Sequence, residues 1–461
     1  MKMKLIEAFM VVVLQWEAVF PQERSFKRAV RQSIGTLICL GRRTLTRIIW
    51  TNGGQNKGWS SEYFLYSRCE WEPQELFKPV IKQSLAYCKE RYVGIAVDDT
   101  RLRKTGRCIE QAFYQRDPLS PPFHVNLMLG LRFMQASLLV PLHRKGKIGA
   151  RALPIRFEEV SRVKRPGRKA TKEQCEQYRA AVKQYNLSKR FVTMTHDLRD
   201  TLDECGFKDK IMVMATDGSY CNRTVFASSV ERMEIVARAR KDAVLCHAAP
   251  TGSRRFYAAE KFTPEQVRKD DCIAWNTAKV FYGGKRRRIR YKDVSEIYWQ
   301  GGARRRALRL IVVAPQPYRK RKSSKLYYRQ PAFLLTTALT TPAHTLLQIY
   351  FDRWQIEVNH REEKDTLGVG QAQLWNKTSV PKQPVLAVAS YSALLLASLL
   401  AFGAGRSEAY APLPKWRRNA KRPSCLDLIT LLRKELSENP DITAPLLLHP
   451  SLKLLTEAAD A

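Results

Sequence analysis

The sequence predicts an α/β protein: a mixed-sheet core interrupted by a β-rich insertion, with a helical region at each end. Three observations predict it. Apolar strand-like runs alternate with helical stretches from about Arg91 to 245. A block rich in cations and aromatics then breaks that rhythm before a long amphipathic helix begins near Thr341. Residues 1–90 and those beyond 376 carry few strand signals.

Composition narrows the partner before any motif is read. The chain has 461 residues, 44% of them hydrophobic, which is enough for a packed core and excludes a disordered polybasic tail. Its length suits two to four domains. Lys and Arg number 80 against 43 Asp and Glu, a net charge of +37. Such a surplus repels itself unless an anion neutralises it, so nucleic acid is the expected partner, with an anionic membrane surface second. The ten cysteines show no CxxC pair and no His/Cys cluster, which argues against zinc fingers and a disulfide framework. Reduced cytosolic thiols are expected.

Residues 1–90 read as helices. The apolar Leu5–Phe20 follows a basic start, as in a signal peptide, but Glu7, Gln15 and Glu17 interrupt it and no small-residue cleavage site follows. Thr44 to Trp50, the turn Asn52-Gly53-Gly54 and the helix from Trp59 to Phe64 would suit a helix-turn-helix DNA reader. From Arg91 the texture changes. Tyr92–Val97 reads as a buried strand ending in Asp98-Asp99-Thr100, and Phe123–Phe133 and Ala136–Leu142 as two more. Arg162–Lys172 is a solvated basic loop. Phe191, Met194, Leu198 and Leu202 mark one apolar helix face. Ile211–Thr216 is a strand running into Asp217-Gly218-Ser219, and Ile235–Ala239 is a fifth strand. The order is βββαβαβ, with acids at the tips of the first and fourth strands.

Between Phe281 and Lys325 lie 15 Lys/Arg and two acids, Asp293 and Glu296. The clusters Lys285-Arg286-Arg287-Arg288, Arg304-Arg305-Arg306 and Arg319-Lys320-Arg321-Lys322 are spaced by Tyr282, Tyr291, Tyr298, Trp299 and Tyr318. Such interleaving suggests a β-rich insertion that tracks phosphates and stacks on bases.

Thr341 and Pro342 read as a capping hydroxyl followed by proline at the first helical position. Along this helix Tyr350, Arg353, Glu357 and Lys364 fall within roughly 60° of arc at about 100° per residue. Leu347, Phe351 and Val358 flank that stripe on one side, Ile349, Ile356 and Leu367 on the other. Two strand-end aspartates and a helix glutamate make a hard oxygen-ligand set suited to Mg²⁺ or Mn²⁺. Arg353 and Lys364 on the same face would hold adjacent phosphates.

The spacing Y-x2-R-x3-E-x6-K, present as Tyr350, Arg353, Glu357 and Lys364, resembles the signature of a group of DDE transposases of bacterial insertion sequences. The strand end at Asp98 (D-x-T) and that at Asp217 (D-G-S-Y) are similar to the first two acidic positions of that family. The resemblance covers roughly 90–376. It implies an RNase H-like catalytic core and two Mg²⁺ or Mn²⁺ ions held by Asp98, Asp217 and Glu357. It also implies metal-dependent DNA cleavage and strand transfer in cut-and-paste transposition, with a homodimer assembled on two ends. Within it, Trp299 is the candidate to hold a flipped base of a hairpin end, with Trp275 as the alternative. The D-x-T register favours Asp98 over its neighbour Asp99.

The expected organisation is terminal-repeat binding by 1–90, core residues 91–245 and 331–376, a basic insertion at 246–330, and a helical, dimer-forming 377–461. Tyr350, Arg353, Lys364, Lys285, Arg286, Arg287, Arg288 and Trp299 are the expected DNA contacts, and the cytoplasm of a bacterium the expected location. Four other readings compete. A tyrosine recombinase would use His196, Arg199 and Tyr220, yet about 240 residues follow that tyrosine. A DNA-binding protein derived from a transposase could keep the fold without the chemistry, or another RNase H-fold nuclease could share it. The 22-residue charge-free run from Pro384 to Gly405 could span a bilayer, but its Ala and Ser content favours a buried helix.

Overall fold

A computed structural model describes residues 3–439, apart from 57, 119, 122, 143–147, 322 and 418. Lys322 and everything beyond 439 therefore lie outside the described residues.

Five helices precede the first strand: α1 (Leu5–Val13), α2 (Glu23–Ile38), α3 (Leu45–Thr51), α4 (Ser60–Ser67) and α5 (Lys78–Ser84). The apolar α1 is core, with Leu5, Ile6, Phe9, Val12 and Val13 all at 0% exposure. Thr44 caps α3, its hydroxyl accepting from the Arg47 amide at 3.2 Å. Trp50 and Trp59, either side of the α3–α4 turn, are exposed.

Twelve strands follow: β1 (Tyr92–Arg103), β2 (Phe113–Arg116), β3 (Leu127–Val140), β4 (Arg151–Glu159), β5 (Ile211–Thr216), β6 (Met233–Arg238), β7 (Asn276–Tyr282), β8 (Lys285–Tyr298), β9 (Ala307–Val313), β10 (Pro317–Tyr318), β11 (Tyr327–Tyr328) and β12 (Ala332–Thr336). The helices among and after them are α6 (Lys172–Gln184), α7 (Leu187–Glu204), α8 (Arg223–Phe226), α9 (Pro264–Lys269), α10 (Gln300–Ala303), α11 (Ala343–Asp352), α12 (Trp354–Arg361), α13 (Ser379–Phe402) and α14 (Cys425–Glu438).

Ten strands form one sheet in the order β2-β3-β1-β5-β6-β12-β9-β8-β7, with β4 also paired to β3. β1, β5 and β6 run parallel, while β3 and β4 run antiparallel in turn beside β1. The subset β4-β3-β1-β5-β6 is compatible with an RNase H-like core. Strands β12, β9, β8 and β7 extend the same sheet antiparallel from β6. The segment 246–330 thus continues the core sheet. The β7–β8 hairpin turns through Gly283 (φ +60°) and Gly284 (φ +80°), a pair of left-handed residues that glycine adopts without strain.

The sheet has two different faces. Ala96, Val213, Ala215, Val236 and Leu334 pack with Leu346, Leu347, Ile349 and Ile356 of α11 and α12. Ile95, Val97, Met212 and Met214 join the larger core on the other side, with Phe191, Met194, Leu198 and Leu202 of α7. A Cβ at Gly94 would stand 2.9 Å from the Ile349 side chain, so the glycine lets α11 lie directly on β1.

Several local readings need correction. Phe123–Phe133 and Ala136–Leu142 are one strand, β3; the polar Gln135 and Ser137 that look like a break are fully buried and bonded to each other at 3.1 Å. The third core strand is β4, and it carries Pro154 where the β3–β4 register shifts. The helix near 341 begins one residue later than expected, at Ala343, without a side-chain cap; the Thr341 carbonyl instead accepts from Arg309 at 2.6 Å. Not every cation of the basic block is free. Lys292 is fully buried and donates to the carbonyls of Val267, Arg268 and Asp270, while Arg309 pairs with Asp293 at 2.5 Å. The apolar run from Pro384 belongs to α13, long and apolar enough to cross a membrane by composition, but lying inside the protein against α1, α2 and β4.

Candidate active site

Strand register brings the first two acids together. Parallel pairing of β1 with β5 sets Ala96 opposite Ala215. The strand expected to end at Asp98 instead runs on to Arg103, paired with β3. Two residues beyond Ala96 and Ala215, Asp98 within β1 and Asp217 just past the end of β5 stand at the same level, one strand spacing apart at about 4.8 Å. Side chains alternate along a strand, so Asp98 shares the face of Ala96, which α11 and α12 cover. Asp99 shares the face of Val97 and is held there by Arg132 at 2.8 Å. The two adjacent aspartates therefore have different surroundings.

The third acid comes from the covering helix. Arg353 joins α11 to α12, and its guanidinium lies between Asp98 and Glu357, 3.9 Å from the first and 3.2 Å from the second. Its Nη1 is buried with no hydrogen-bond partner. Burial is the main reason that the Asp98 carboxyl is pushed up to about 6; Asp217 and Asp99 add to the rise, while His360 and the Asp99 amide oppose it. Asp217 accepts from the amide and hydroxyl of Ser219, which tie down its turn.

The remaining signature residues surround this cluster. Tyr350 is half-buried, and its phenol is raised by burial with Arg353, Arg238, Asp217 and Glu357 as charged neighbours. Residues Glu362–Thr366 form a π-helical turn, so the α-helical arithmetic that aligns Lys364 with Glu357 does not hold there. Lys364 nevertheless has Asp98 among its charged neighbours, and burial lowers its ammonium. The sequence reading missed His360, which is nine-tenths buried, bonded through Nδ1 to Glu363 at 3.4 Å, and unpartnered at Nε2. Its spacing of three from Glu357 puts both on one helix face and could have been the signal. It also missed Arg132, which only the β1–β3 pairing reveals.

A cavity of about 920 Å³ opens beside Arg353, lined by Tyr282, Tyr318, Tyr328, Tyr350, Trp354 and Arg238 among others. The basic hairpin reaches it through Tyr282, whose ring is 4.7 Å from Phe351 and whose carbonyl accepts from Arg287. Lys285, Arg286 and Arg288 are exposed, but Arg286 lines a second cavity together with His344 and Asp352. Alternation along β8 thus divides the four cations between two sheet faces. Trp299 is half-buried, edge-on to Phe226 at 6.0 Å, outside the residues that line the larger cavity. Trp275 lies under Arg290 and Lys292.

Among the described residues no three His, Cys, Asp or Glu side chains stand close enough to hold a metal ion in this arrangement. The donor chemistry still fits one. Asp98 and Asp217 form a partly buried acidic pair whose nearest guanidinium, that of Arg353, makes no hydrogen bond to Asp98 from its Nη1. Carboxylates left in this state are hard ligands for a divalent cation. The recombinase triad is not assembled, because Arg199 is engaged by Asp203 and the carbonyls of Phe207 and Lys210 while the Tyr220 hydroxyl is buried without a partner.

The sequence model of a family described as DDE superfamily endonuclease matches residues 18–306, a range that includes Asp98 and Asp217 and stops before the helix of Glu357. No curated protein matches the chain.

Proposed function

The chain belongs to the DDE superfamily endonucleases, enzymes that act on DNA and generally use divalent metal ions, and from that premise we propose that it is a cut-and-paste transposase. The observation that carries the proposal is the β1–β5 register with Asp98 level with Asp217, faced by the Arg353–Glu357 pair of α12. In this reading Asp98, Asp217 and Glu357 hold two Mg²⁺ or Mn²⁺ ions, which when bound supply activation of the attacking oxygen and neutralisation of the leaving one. The protein's own groups do the rest. Arg353 and Lys364 bind the phosphates next to the scissile bond, and Tyr350 walls the site. Lys285 and Arg287, which share one face of β8, follow the backbone of the same end, with Arg286 and Arg288 on the other face as the remaining candidates, while Trp299 or Trp275 remains the candidate base contact. Residues 1–90 recognise the terminal repeats through the α3–α4 region. Two chains pair on two ends, and the protein works in the bacterial cytoplasm.

The test is incubation of purified chain with Mg²⁺ and a linear DNA carrying the ends of the element that encodes it. Nicking followed by joining of the 3′-OH to a second DNA is expected, and Glu357→Gln should abolish both while leaving DNA binding unchanged or slightly tighter. Hydrolysis without joining would make the protein another nuclease of this fold. Binding without any metal-dependent cut would reduce it to a DNA-binding relative.

A further inference from the structure

On the opposite edge of the sheet from the basic hairpin stands an arm that the rest of the protein does not cover. It runs from the end of β4 through the loop Ser161–Thr171 and along α6. The loop carries Arg162, Lys164, Arg165, Arg168 and Lys169, Lys172 opens the helix, and no acid intervenes. All six are exposed, and none makes an ion pair among the described residues. Helix α6 has no fully buried residue; Cys175, Tyr178 and Ala181 are half-buried along one face and the rest of it is open to solvent. A helix with so thin a buried face leaves most of its surface free for a partner. The arm is anchored at its root, where Arg162 stacks over Phe113 of β2 and Val160 donates to the Arg132 carbonyl at 2.8 Å, and at its far end it runs into α7. Arg132 is the residue that holds Asp99, so the root lies next to the stretch of β1 that carries Asp98.

We propose that this arm, residues 161–186, binds a second DNA duplex, the target into which the cleaved end is joined; the proposal rests on the transposase reading above. Three arguments converge. The β4 edge and β7 are eight strand steps apart, about 38 Å along the sheet, with the β1–β5 carboxylates between them, so the two basic edges can serve separate duplexes. The loop 161–171 offers five Arg and Lys and no Asn, Gln, Asp or Glu, while Gln174, Gln177 and Gln184 follow only in α6, so the loop is suited chiefly to gripping phosphates. A target differs at every event, whereas the end is always the same. Sequence-tolerant charge suits the first and not the second.

The experiment uses the full chain saturated with unlabelled end DNA, and follows capture of a fluorescent random-sequence duplex by anisotropy at several salt concentrations. Replacing Arg162, Lys164, Arg165, Arg168 and Lys169 with Ser should weaken capture at least tenfold and flatten its log–log salt slope by about 0.9 for each phosphate that the variant no longer neutralises. Affinity for end DNA and metal-dependent nicking should stay within about twofold, less than the effect of removing a single phosphate partner. The double variant Arg165→Glu, Lys169→Glu changes two exposed tips only and repeats the test should the fivefold variant unfold. Unchanged capture would overturn the proposal, and so would an equal loss of end binding, which would assign the arm to the end. A chain that captures the random duplex yet never cuts would support the arm and sink the transposase reading, so the two failures are distinguishable.

Discussion

The Arg353 guanidinium sits between Asp98 and Glu357, 3.9 Å from one carboxylate and 3.2 Å from the other. It is a positive charge shared by two acids that come from different elements, strand β1 and the covering helix α12. Side-chain exposure there is 14% for Arg353 and 20% for Asp98, so water screens the interaction only partly.

A cation already between two carboxylates competes with any other cation. Arg353→Ala should therefore bind Mn²⁺ several-fold more tightly than the unmodified chain when no DNA is present, measured by calorimetric titration. The helix should persist in circular dichroism, because alanine is a good helix former. Cleavage of end DNA should nevertheless fall, since the guanidinium is also the proposed phosphate contact. An alanine variant that binds Mn²⁺ no better than the original would remove Arg353 from this competition.

Asp98 and Asp99 should separate cleanly in paired variants. Asp98→Asn is expected to abolish metal-dependent cleavage with little loss of thermal stability, because the carboxyl is raised to about 6 and holds no full ion pair. Asp99→Asn strands Arg132 in a partly buried position. It should cost about 1–3 kcal/mol in denaturant unfolding while leaving cleavage substantially intact. The reverse pattern would transfer the catalytic assignment to Asp99.

What the sequence could reveal follows the range of the interaction concerned. The acid following β5, the 3-4-4 face of α7 and the buried character of α13 are local patterns, legible without tertiary knowledge. The continuation of β1 past Asp98 to Arg103 was not legible, because it depends on pairing with β3. Which sheet face Asp98 and Asp99 each share depends on where α11 lies, and the sequence offered only the D-x-T resemblance to separate them. β4 went unassigned because Pro154 and the charged Arg151, Arg156, Glu158 and Glu159 mask a strand pattern, while the structure absorbs the proline where the register shifts. The merging of two expected strands into β3 has the same origin. Gln135 and Ser137 look like a polar break, and only their pairing with each other and with Asn359 of α12 makes them core. The cation count of the basic block overstated the free charge, because burial of Lys292 and the Arg309–Asp293 pair are settled by distant contacts.

That partition bears on DNA binding. Replacing Lys285–Arg288 with Ser removes four cations, yet alternation along β8 puts Arg286 beside His344 and Arg287 beside Tyr282. One duplex should not meet all four. The log–log salt slope of end-DNA binding is expected to flatten by the equivalent of about two to three phosphates at 0.9 each, rather than four. Restoring Arg286 alone in the Ser background should change the slope least. An unchanged slope in the fourfold variant would make the hairpin tip a solvated turn.

Asp352 gives a prediction about stability and pH. It ends α11, is 8% exposed, and burial raises its carboxyl from 3.8 to about 7, against the pull of the Gln348 side chain and the Ala150 backbone. A raised acid binds its proton more tightly in the folded state than in the unfolded one. Its stabilising contribution is complete below about pH 4, declines as pH rises, and is lost above about 7. At 1.36 kcal/mol per pH unit the full loss is at most about 4 kcal/mol, and less wherever water enters the neighbouring cavity. Asp352→Asn has no proton to lose. Its melting temperature should match or fall slightly below that of the unmodified chain at pH 4.5, overtake it near neutrality, and keep a constant lead above pH 8. A difference that does not vary with pH would mean that the carboxyl stays ionised in the fold, matched by a cation of the cavity it shares with Lys279, Arg286 and His344.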